Sequence, residues 1–395
     1  MKVLLINAFD KLPGESFRDQ RYTVLFKKFK EKANVEWWSA NFHHWSHSKR
    51  SRNELEISGV SLINVPSYKN NISIIRFLSH FIFSLKVFLR LLHLRSRPNV
   101  ILAIAPVEGL FFIAIYCRIF KVKFIVDVLD LWPDLFIEAF PLKVRWFGKI
   151  LLMPMHWMAN YAYRHADHIT SVSKTYTRIA VERSGIKDKP SSYYYLGSPV
   201  SECVLVTKSS TILKCLFAGQ FEYNYDVETI LQAAKVCHDS NKKIEFFLAG
   251  SGSKASFMKE YIDRHGLSNV HLVGWLGTDE LNHLASECHV GLNSYKGHAT
   301  QSIPTKYFDY LSMGLVVFNS LDGEMSELIA DDVSGLNYIS ESKESLLTLL
   351  DDANRKHDEY SKWGEKNRKL FLRKYSFDAI YESMVDQVLN VDIAI

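Results

Sequence analysis

A lysine and an aspartate stand where a helix is predicted to begin, in the segment QSIPTKYFDYLSMG at residues 301–314. Ser302 is the predicted N-cap, and Pro304 suits the first turn. Lys306 then falls in that turn, where exposed N–H groups already act as a partial positive charge. Either this lysine extends into water, or it binds an anion together with those N–H groups. Asp309 follows one turn later, so both side chains can face one side of the helix.

The other chemistry-bearing residues give little support to a metal site or a disulfide framework. No DxD sequence occurs, so the carboxylate pair that commonly holds a bridging metal is absent. The histidine groups HHWSH and HADH lack a clear full set of zinc ligands. The five cysteines include no pair at CxxC spacing, which is typical of a protein from a reducing compartment. We therefore expect no metal and no other cofactor.

Positive charge is concentrated in the first half of the 395 residues. Residues 1–200 hold 29 Lys and Arg against 15 Asp and Glu, a balance of +14, whereas the remainder carries −9. The segment at about 70–97 has no acidic residue, and its recurring cations make a membrane-spanning helix unlikely to form. It is either a basic amphipathic helix on an anionic membrane or a core helix with a basic edge in water. Because the cations alternate with aliphatic residues, no nucleic-acid partner is expected.

The order of apolar runs predicts the fold class. Short apolar runs alternate with longer helical segments, which is typical of α/β proteins with parallel, doubly wound sheets. Two such sets predict two Rossmann-like domains, with a boundary between Gly185 and Ser210. The predicted strands are KVLLINAF, VEWWSA, SLINVP, NVILAIAP, KFIVDVLD and HITSVS, followed by TILKCLFAG, KIEFFLAG, NVHLVGW, HVGLNSY, LVVFNS and GLNYI.

Residues that directly follow a predicted strand are the candidate binding residues, because ligands of open α/β sheets lie beyond the carboxyl ends of the strands. In the first domain these are Gly14 and the segment DLWPD, which contains Asp130 and Asp134. In the second domain, LFAGQ, LAGSGS and VGWLG each place glycines or polar groups after a strand. Two sheets that present these ends to each other would form a ligand-binding cleft between the domains.

Longer segments resemble a known family. LFAGQFEYNYDVETILQAA, FFLAGSGS, NVHLVGWLGTDELNHLASECHVGLNSY, SIPTKYFDYLSMGLVVF and DGEMSELIADDVSGL resemble the donor half of retaining, family 4-like GT-B glycosyltransferases. VEWWSANFHHWSHSKRSR, VPSYKNNISIIRFLSH and VDVLDLWPD resemble the acceptor domain of bacterial O-antigen and capsule transferases related to N-acetylfucosamine transferases. The resemblance implies a GT-B fold with domains at 1–195 and 196–375 that face across a cleft. A C-terminal helix at 376–395 is expected to cross back to the first domain.

The resemblance places the donor site in the second domain. The family pattern of a glutamate, seven residues and a second glutamate falls on Gln301 and Asp309. Asp309 keeps the carboxylate that the family uses on the nucleotide ribose, whereas Gln301 has lost the charge. The arginine and lysine with which the family often grips the diphosphate fall on Gln220 and Tyr225, so Lys306 is the implied replacement and a candidate catalytic residue. The implied donor-binding residues are Gly219, Gln220, Gly250, Gly252, Trp275, Leu276, Gln301, Ser302, Thr305, Lys306 and Asp309.

On the acceptor side, Asp130 is the candidate catalytic residue. Its carboxylate could orient the acceptor hydroxyl or stabilise positive charge that develops on the sugar. The alternative is a cap for a helix that begins near Pro133, and Asp134 competes for either role. The candidate acceptor-binding residues are Gly14, Arg18, Arg21, His44 and Asp134.

These features predict a metal-independent retaining glycosyltransferase of hexosyl or N-acetylhexosaminyl type, with a UDP-sugar as donor. The expected acceptor is a polyprenyl-diphosphate-linked glycan, used in the synthesis of O-antigen, capsule or exopolysaccharide. The expected location is cytoplasmic, peripherally bound to the anionic inner face of the cell membrane. Two alternatives stay open: a UDP-sugar 2-epimerase of the same fold, and a non-catalytic subunit that binds a nucleotide or a membrane and supports a partner.

Overall fold

The protein consists of two compact units. The first contains Met1–Leu196 together with the chain from Ile380 onward, and the second contains Gly197–Ala379. The computed structural model describes residues 1–15, 18–44, 46–50, 57–69, 73–105, 109–134, 137, 143, 145–201 and 211–390.

A seven-stranded parallel sheet forms the centre of the first unit, in the order β5-β2-β1-β6-β7-β8-β9. Its central strand β6 is buried along its whole length, as expected for a parallel strand covered on both faces. A two-stranded antiparallel sheet is formed by β3 (Phe42–His43) and β4 (Ser48–Lys49). The seven strands are β1 (Lys2–Ile6), β2 (Asn34–Ala40), β5 (Val60–Ile63), β6 (Val100–Ala105), β7 (Lys123–Val128), β8 (His168–Ser171) and β9 (Ser191–Tyr193).

The second unit is built on a six-stranded parallel sheet in the order β12-β11-β10-β13-β14-β15. Its core is made of apolar side chains from these strands and from the helices that pack on them. The six strands are β10 (Leu213–Gln220), β11 (Ile244–Ser251), β12 (Val270–Gly274), β13 (Val290–Asn293), β14 (Val316–Asn319) and β15 (Gly335–Asn337).

Helices connect the strands of both sheets. Those of the first unit are α1 (Arg21–Lys32), α2 (Ile74–Leu92), α3 (Leu110–Phe120), α4 (Arg145–Leu151), α5 (Met153–His165) and α6 (Lys174–Ser184). Those of the second unit are α7 (Val227–Asp239), α8 (Ala255–His265), α9 (Thr278–Glu287), α10 (Thr305–Ser312), α11 (Glu324–Asp332), α12 (Lys343–Arg355) and α13 (His357–Lys374).

The last helix, α14 (Phe377–Asn390), belongs to the first unit from Ile380 onward. Two of its carboxylates bind lysines of α1. Glu382 pairs with Lys28 at 3.3 Å, and Asp386 accepts a hydrogen bond from Lys32 at 2.7 Å. The chain therefore returns to the first unit after it has completed the second.

The predicted fold class, α/β with doubly wound parallel sheets, is confirmed. Each of the predicted strands is present, and within the described ranges the strands that the sequence analysis missed are the short strands β3, β4 and β9. In both sheets the direction of winding changes beside the first strand, between β1 and β6 and between β10 and β13. Doubly wound sheets bind their ligands at this switch point, outside the carboxyl ends of the strands.

Candidate functional site

Helix α10 starts at the switch point of the second sheet, where a tyrosine holds it. Tyr310 accepts a hydrogen bond from the N–H of Ala218 in β10 at 2.9 Å and donates one to the carbonyl of Leu292 in β13 at 3.2 Å. Gly291 admits the ring, because a Cβ at this position would lie 2.5 Å from it. The first turn of α10, with Lys306, is therefore fixed beside the carboxyl ends of β10 and β13.

The start of α10 differs from the prediction. The N-cap is Pro304 rather than Ser302, and no side chain caps the helix. The hydroxyl of Ser302 instead donates a hydrogen bond to Oε2 of Glu324 at 2.9 Å, at the start of α11. Proline has no side-chain oxygen that could reach the N–H groups of the first turn. The N–H of Tyr307 donates to the carbonyl of Pro304 at 3.1 Å, so the N–H groups of Thr305 and Lys306 are the candidate donors to an anion.

The ammonium of Lys306 is buried inside a cage of aromatic rings. The residue is only 7% exposed, and its Nζ has no hydrogen-bond partner within the described residues. It lies 4.1 Å from the ring centroid of Tyr225, 4.2 Å from that of Phe217 and 5.1 Å from that of Tyr295. Burial lowers the pKa of Lys306 to about 7, against the opposing effect of Asp309. Burying a cation without a hydrogen bond costs free energy unless a ligand supplies the missing partner.

Glycines at the ends of β10 and β11 allow this close approach. A Cβ on Gly219 would lie 3.1 Å from Nζ of Lys306, and the residue has a φ of +154°. Gly250, its partner in β11, could carry no Cβ, because that atom would lie 1.7 Å from the carbonyl oxygen of Gly219. Gly252 similarly lies against the backbone of Phe221, within 2.6–2.8 Å of a built Cβ. The glycines predicted from the sequence thus shape the surface beside Lys306.

Two further predicted donor residues flank Lys306 along the chain. Asp309 is half-buried, and its Oδ1 accepts a hydrogen bond from the hydroxyl of Ser198 at 2.5 Å. Gln301 is half-buried, and its side-chain oxygen is buried without a hydrogen-bond partner among the described residues. The ammonium of Lys306 donates hydrogen bonds and the side-chain oxygen of Gln301 accepts them, and neither has a partner among the described residues. Both lie near the start of α10, which is the pattern of a site that binds a polar ligand.

The remaining predicted donor residues lie in more open positions. Gln220 is exposed at the end of β10, and Thr305 is exposed as the first residue of α10. Trp275, which is 77% exposed, and Leu276 follow β12, the edge strand that β11 separates from β10. Among the predicted donor residues, the structure therefore brings Gly219 and Gly250 together and places Gly219 beside Lys306.

In the first unit, Asp130 lies beside a cluster of aromatic and basic side chains. It follows β7, and although the residue is exposed, partial desolvation of its carboxyl raises the pKa to about 6. The guanidinium of Arg76 opposes this shift. Arg76 itself lies 4.6 Å from the ring centroid of Trp132 and 6.0 Å from that of Tyr68. A carboxyl with a pKa near neutrality beside a cation is a plausible group to orient a hydroxyl or take up a proton.

His44 belongs to the same cluster, as predicted for the acceptor side. A hydrogen bond of 2.6 Å joins its Nδ1 to the hydroxyl of Tyr68. Burial, followed by the charge of Arg76, lowers the pKa of His44 to about 4, so this imidazole is neutral at pH 7. His80 of α2 stacks on Trp132 with ring centroids 5.5 Å apart. The cluster therefore combines the permanent cation of Arg76 with the neutral imidazole of His44.

The other predicted acceptor residues have different surroundings. Arg21 is 3% exposed, and its guanidinium donates two hydrogen bonds to Asp127, at 2.8 and 2.9 Å, and one to the carbonyl of Tyr194 at 2.8 Å. The prediction that Arg21 binds the acceptor does not fit this geometry, because its donors bind the protein core. Asp134 pairs with Arg183 at 3.0 Å, which ties the loop after β7 to α6. Gly14 and Arg18 are exposed in the loop after β1.

Several residues of the two clusters escaped the sequence analysis. In the second unit these are the rings around Lys306, which come from three separate segments of the chain. In the first unit they are Arg76, Tyr68 and His80, which the sequence analysis grouped only as part of a basic or aromatic stretch. Arg76 lies in a segment without acidic residues, which marked the segment as basic. The local sequence did not distinguish Arg76 from the other cations of that segment. Tertiary structure alone brings these side chains together.

The comparison with known families concerns the second unit. Residues 207–370 match the family described as Glycosyl transferases group 1. The matched segment covers most of the second unit and contains Lys306, its aromatic cage and the glycines at the ends of β10 and β11.

Solved structures resemble the whole chain, and they confirm the predicted GT-B fold. HepE from Anabaena, solved in complex with UDP-glucose, is 13% identical with a TM-score of 0.63, over 98% of this chain and 99% of that chain. Sucrose-phosphate synthase from Thermosynechococcus elongatus is 12% identical with a TM-score of 0.70, over 99% and 98%. The lipopolysaccharide outer core galactosyltransferase WaaB is 14% identical with a TM-score of 0.64, over 98% and 99%. At these identities the likeness establishes the fold alone.

The described part of the chain contains neither a metal-ligand cluster nor a membrane-spanning helix. Across those ranges, no group of three or more His, Cys, Asp or Glu side chains is arranged to hold a metal ion. Among the described helices, none is both long enough and apolar enough to cross a membrane. Cys203 lies outside the described residues. No disulfide joins the described cysteines, which are buried: Cys117, Cys215, Cys237 and Cys288.

Proposed function

We propose that this protein is a glycosyltransferase that takes a sugar from a nucleotide diphosphate donor bound by the second unit. The observation that carries the proposal is the buried ammonium of Lys306, which has no hydrogen-bond partner within the described residues and lies in an uncapped first helical turn. A diphosphate would supply the missing partner for the ammonium and for the N–H groups of α10 at once.

The same geometry suits the departure of the sugar. When the bond between the anomeric carbon and the diphosphate oxygen breaks, negative charge grows on the diphosphate. Lys306 and the helix N–H groups are positioned to stabilise that charge without a metal ion, so we propose a metal-independent reaction. Asp309, one turn along α10, would accept hydrogen bonds from the ribose. UDP is the proposed nucleotide, supported by HepE, which has been solved with UDP and with UDP-glucose.

For the reaction itself, we propose transfer with retention of the anomeric configuration. The acceptor hydroxyl attacks from the face that the diphosphate leaves, and its proton passes to the departing diphosphate. Asp130 in the first unit is proposed to orient this hydroxyl, with Arg76 and His44 close to the acceptor. A polyprenyl-diphosphate-linked glycan is the proposed acceptor, in the synthesis of a bacterial surface glycan. Two proteins of similar structure support a role in surface-glycan synthesis: WaaB is a lipopolysaccharide outer core galactosyltransferase, and WaaG is a glycosyltransferase involved in lipopolysaccharide biosynthesis.

We further propose that the first unit binds an anionic membrane surface through an apolar patch on α4 and α5, at the cytoplasmic face. The patch consists of large apolar side chains that are 51–64% exposed: Trp146, Phe147, Ile150, Leu151, Met153 and Trp157. Single exposed apolar residues are ordinary, but a contiguous group of this size marks an interaction surface. Tryptophans at its edges suit the headgroup region of a bilayer.

The patch continues onto neighbouring helices through aromatic contacts. Trp157 lies 5.0 Å from Phe111 of α3, and Phe112 lies 5.7 Å from Phe81 of α2, measured between ring centroids. No acidic residue occurs at 139–166, whereas Lys143 and Lys149 are exposed there. The charge therefore complements an anionic lipid surface.

This surface differs from the segment at about 70–97, for which a membrane-bound helix was one of the two alternatives left open by the sequence. In α2, Lys86 donates a hydrogen bond to the carbonyl of Asn64 at 2.8 Å. Arg90 donates one to the hydroxyl of Ser61 at 3.1 Å and lies 4.4 Å from a ring centroid of Trp38. These cations bind the edge of their own sheet, as in the alternative of a core helix with a basic edge. The membrane contact is therefore proposed for the α4–α5 patch instead.

Calorimetric titration with UDP, UDP-glucose, UDP-galactose and UDP-N-acetylglucosamine tests the donor proposal. We expect UDP and at least one sugar nucleotide to bind in the presence of EDTA, and Lys306→Ala to abolish that binding. A folded wild-type protein that binds none of them would overturn the proposal. Release of an epimerised sugar nucleotide from UDP-N-acetylglucosamine alone would identify an epimerase instead.

Sedimentation with vesicles tests the membrane proposal separately. We expect the protein to pellet with vesicles of phosphatidylglycerol and phosphatidylcholine, and not with phosphatidylcholine alone. The double substitution of Trp146→Ser and Trp157→Ser should release it, whereas Trp275→Ser, at an exposed tryptophan of the second unit, should not. Equal pelleting of all variants would contradict the assignment of the patch.

A further inference from the structure

The loops that follow β13 and β14 are tied together at the edge of the second sheet. The N–H of Tyr295 donates a hydrogen bond to the hydroxyl of Ser320 at 2.8 Å, and that hydroxyl donates to the carbonyl of Tyr295 at 2.9 Å. At the ends of β13 and β14, the side chain of Asn293 donates a hydrogen bond to that of Asn319 at 2.7 Å. The segment before α10 and the start of α11 therefore meet in one place, close to the cage of Lys306.

A buried carboxylate occupies that meeting point. Glu324 is the first residue of α11 and is 8% exposed, and its Oε2 accepts the hydrogen bond from Ser302. A carboxylate at a helix start is stabilised by the N–H groups of the first turn. Its neighbour in the same turn, Glu327, is exposed.

The position of Glu324 relative to Lys306 indicates which part of a bound sugar nucleotide Glu324 would contact. If Lys306 holds the diphosphate and Asp309 holds the ribose, the nucleotide extends along α10 toward its carboxyl end, at 1.5 Å per residue. The sugar is attached to the other end of the diphosphate, so it extends toward the residues before the helix. These are Gln301, whose side-chain oxygen lacks a hydrogen-bond partner among the described residues, and Ser302, which binds Glu324.

Resting on the donor site proposed above, we propose that Glu324 is a specificity-determining residue that binds the sugar of the donor. Its carboxylate, oriented by Ser302, accepts hydrogen bonds from sugar hydroxyl groups, and the oxygen of Gln301 accepts a further one. The negative charge at the sugar end of the site is thereby supplied from α11, while position 301 supplies a neutral amide. Two acceptors on neighbouring loops distinguish sugars by the direction of their hydroxyl groups.

Comparison of sugar nucleotides with UDP tests the inference, because UDP lacks the group that Glu324 would bind. By calorimetry, we expect Glu324→Gln to weaken the best-bound of UDP-glucose, UDP-galactose and UDP-N-acetylglucosamine about tenfold or more, the effect of losing a hydrogen bond to a charged group. The affinity for UDP should stay unchanged. Glutamine keeps an acceptor for Ser302, so the fold is retained, and the thermal unfolding temperature checks this directly.

Two further variants sharpen the result. Glu327→Gln removes the exposed carboxylate of the same helical turn and should change neither affinity. The double variant of Gln301→Glu and Glu324→Gln moves the charge across the site and should recover part of the lost affinity for the sugar nucleotide. It should also alter the order of preference among the three sugars.

The outcomes separate this inference from the donor proposal. If UDP binds and Glu324→Gln leaves the affinity for every sugar nucleotide unchanged, Glu324 does not bind the sugar and the donor proposal survives. If UDP and the sugar nucleotides bind the wild-type protein equally well, the inference is likewise overturned. If none of them binds the wild-type protein, both are overturned.

Discussion

The ammonium of Lys306 lies 4.1 Å from the ring centroid of Tyr225, at the position where transferases of the resembled family often carry a lysine. The loop after β10 thus contributes an aromatic ring where a cation would otherwise stand, and the cation comes from α10. Cation–π contacts of this kind stabilise a desolvated cation by about 2 kcal/mol or more. They offset only part of the cost of burying the ammonium without a hydrogen bond.

We expect Lys306→Met to stabilise the free protein and to abolish function. Methionine fills a similar volume and removes a buried charge without a hydrogen bond, so thermal unfolding should move to a higher temperature. Affinity for UDP should fall at least about tenfold, since a charge-assisted contact is lost. Lys259→Met, on the exposed face of α8, serves as the matched control and should change neither quantity. A lower unfolding temperature for Lys306→Met would contradict the buried, uncompensated cation.

The pKa of Lys306, lowered to about 7 by burial, predicts opposite pH dependences for folding and for binding. In the unfolded chain this lysine titrates near its ordinary pKa of 10.5, so the unfolded state binds more protons between pH 7 and 10.5. The destabilisation is complete below pH 7, and stability rises with pH through this window. Binding of a diphosphate favours the charged form, so affinity should fall as the pH rises above about 7.

Calorimetry in buffers of different ionisation enthalpy measures this coupling. Binding of UDP at pH 8 should take up nearly one proton, and binding at pH 6 nearly none. Lys306→Met should remove the coupling at both values, which separates it from titration of the phosphate. Proton uptake of equal size in wild type and variant would assign the effect to another group.

The glycines of β10 and β11 should respond differently to alanine. In Gly219→Ala the new Cβ would lie 3.1 Å from Nζ of Lys306, so the side chain must move and binding of UDP should weaken. In Gly250→Ala it would lie 1.7 Å from a backbone oxygen, which cannot move without disturbing both strands. We expect a loss of several kcal/mol in the free energy of unfolding for Gly250→Ala, and a smaller loss for Gly219→Ala. Urea unfolding followed by titration of the folded variants checks both.

Asp130 should titrate near neutrality. Partial desolvation raises its pKa to about 6, and the charge of Arg76 opposes this shift, so Arg76→Gln should raise the pKa further. Carboxyl-carbon NMR of protein labelled at aspartate, with Asp130→Asn for assignment, follows this titration. If the carboxylate form serves the reaction, activity should decline below pH 6, and the decline should begin at a higher pH in Arg76→Gln. An NMR titration near pH 4 would contradict the described surroundings of Asp130.

Arg21 should matter for stability rather than for ligand binding. It forms a buried ion pair with Asp127 at 2.8 Å, so Arg21→Ala leaves an uncompensated carboxylate in the core of the first unit. We expect a loss of about 3–5 kcal/mol in the free energy of unfolding. Arg18→Ala, at an exposed position, should stay within about 0.5 kcal/mol of the wild type. A folded Arg21→Ala protein of normal stability with weakened phosphate binding would restore the role predicted from the sequence.

The strands and the fold class were predictable because parallel strands covered on both faces are continuous apolar runs. The position of Lys306 in a first helical turn was also predictable, from Pro304 and the apolar spacing that follows it. Its burial was not, since Phe217, Tyr225 and Tyr295 come from separate segments and only the folded sheet brings them together. Arg21 was misinterpreted for the same reason: its partner Asp127 is 106 residues away in the sequence.

Tyr225 and Lys306 also constrain how the protein can have evolved. If an ancestor carried its cation at position 225, a single change that introduced Lys306 would have placed two cations in one cage. Loss of the first cation before the second appeared would instead have left a diphosphate without a counter-charge. Either intermediate is impaired, so the two positions are expected to change together across descendants. Alignments of close relatives should therefore pair a lysine at 306 with an aromatic residue at 225, and lineages with another residue at 306 should carry a cation near 225.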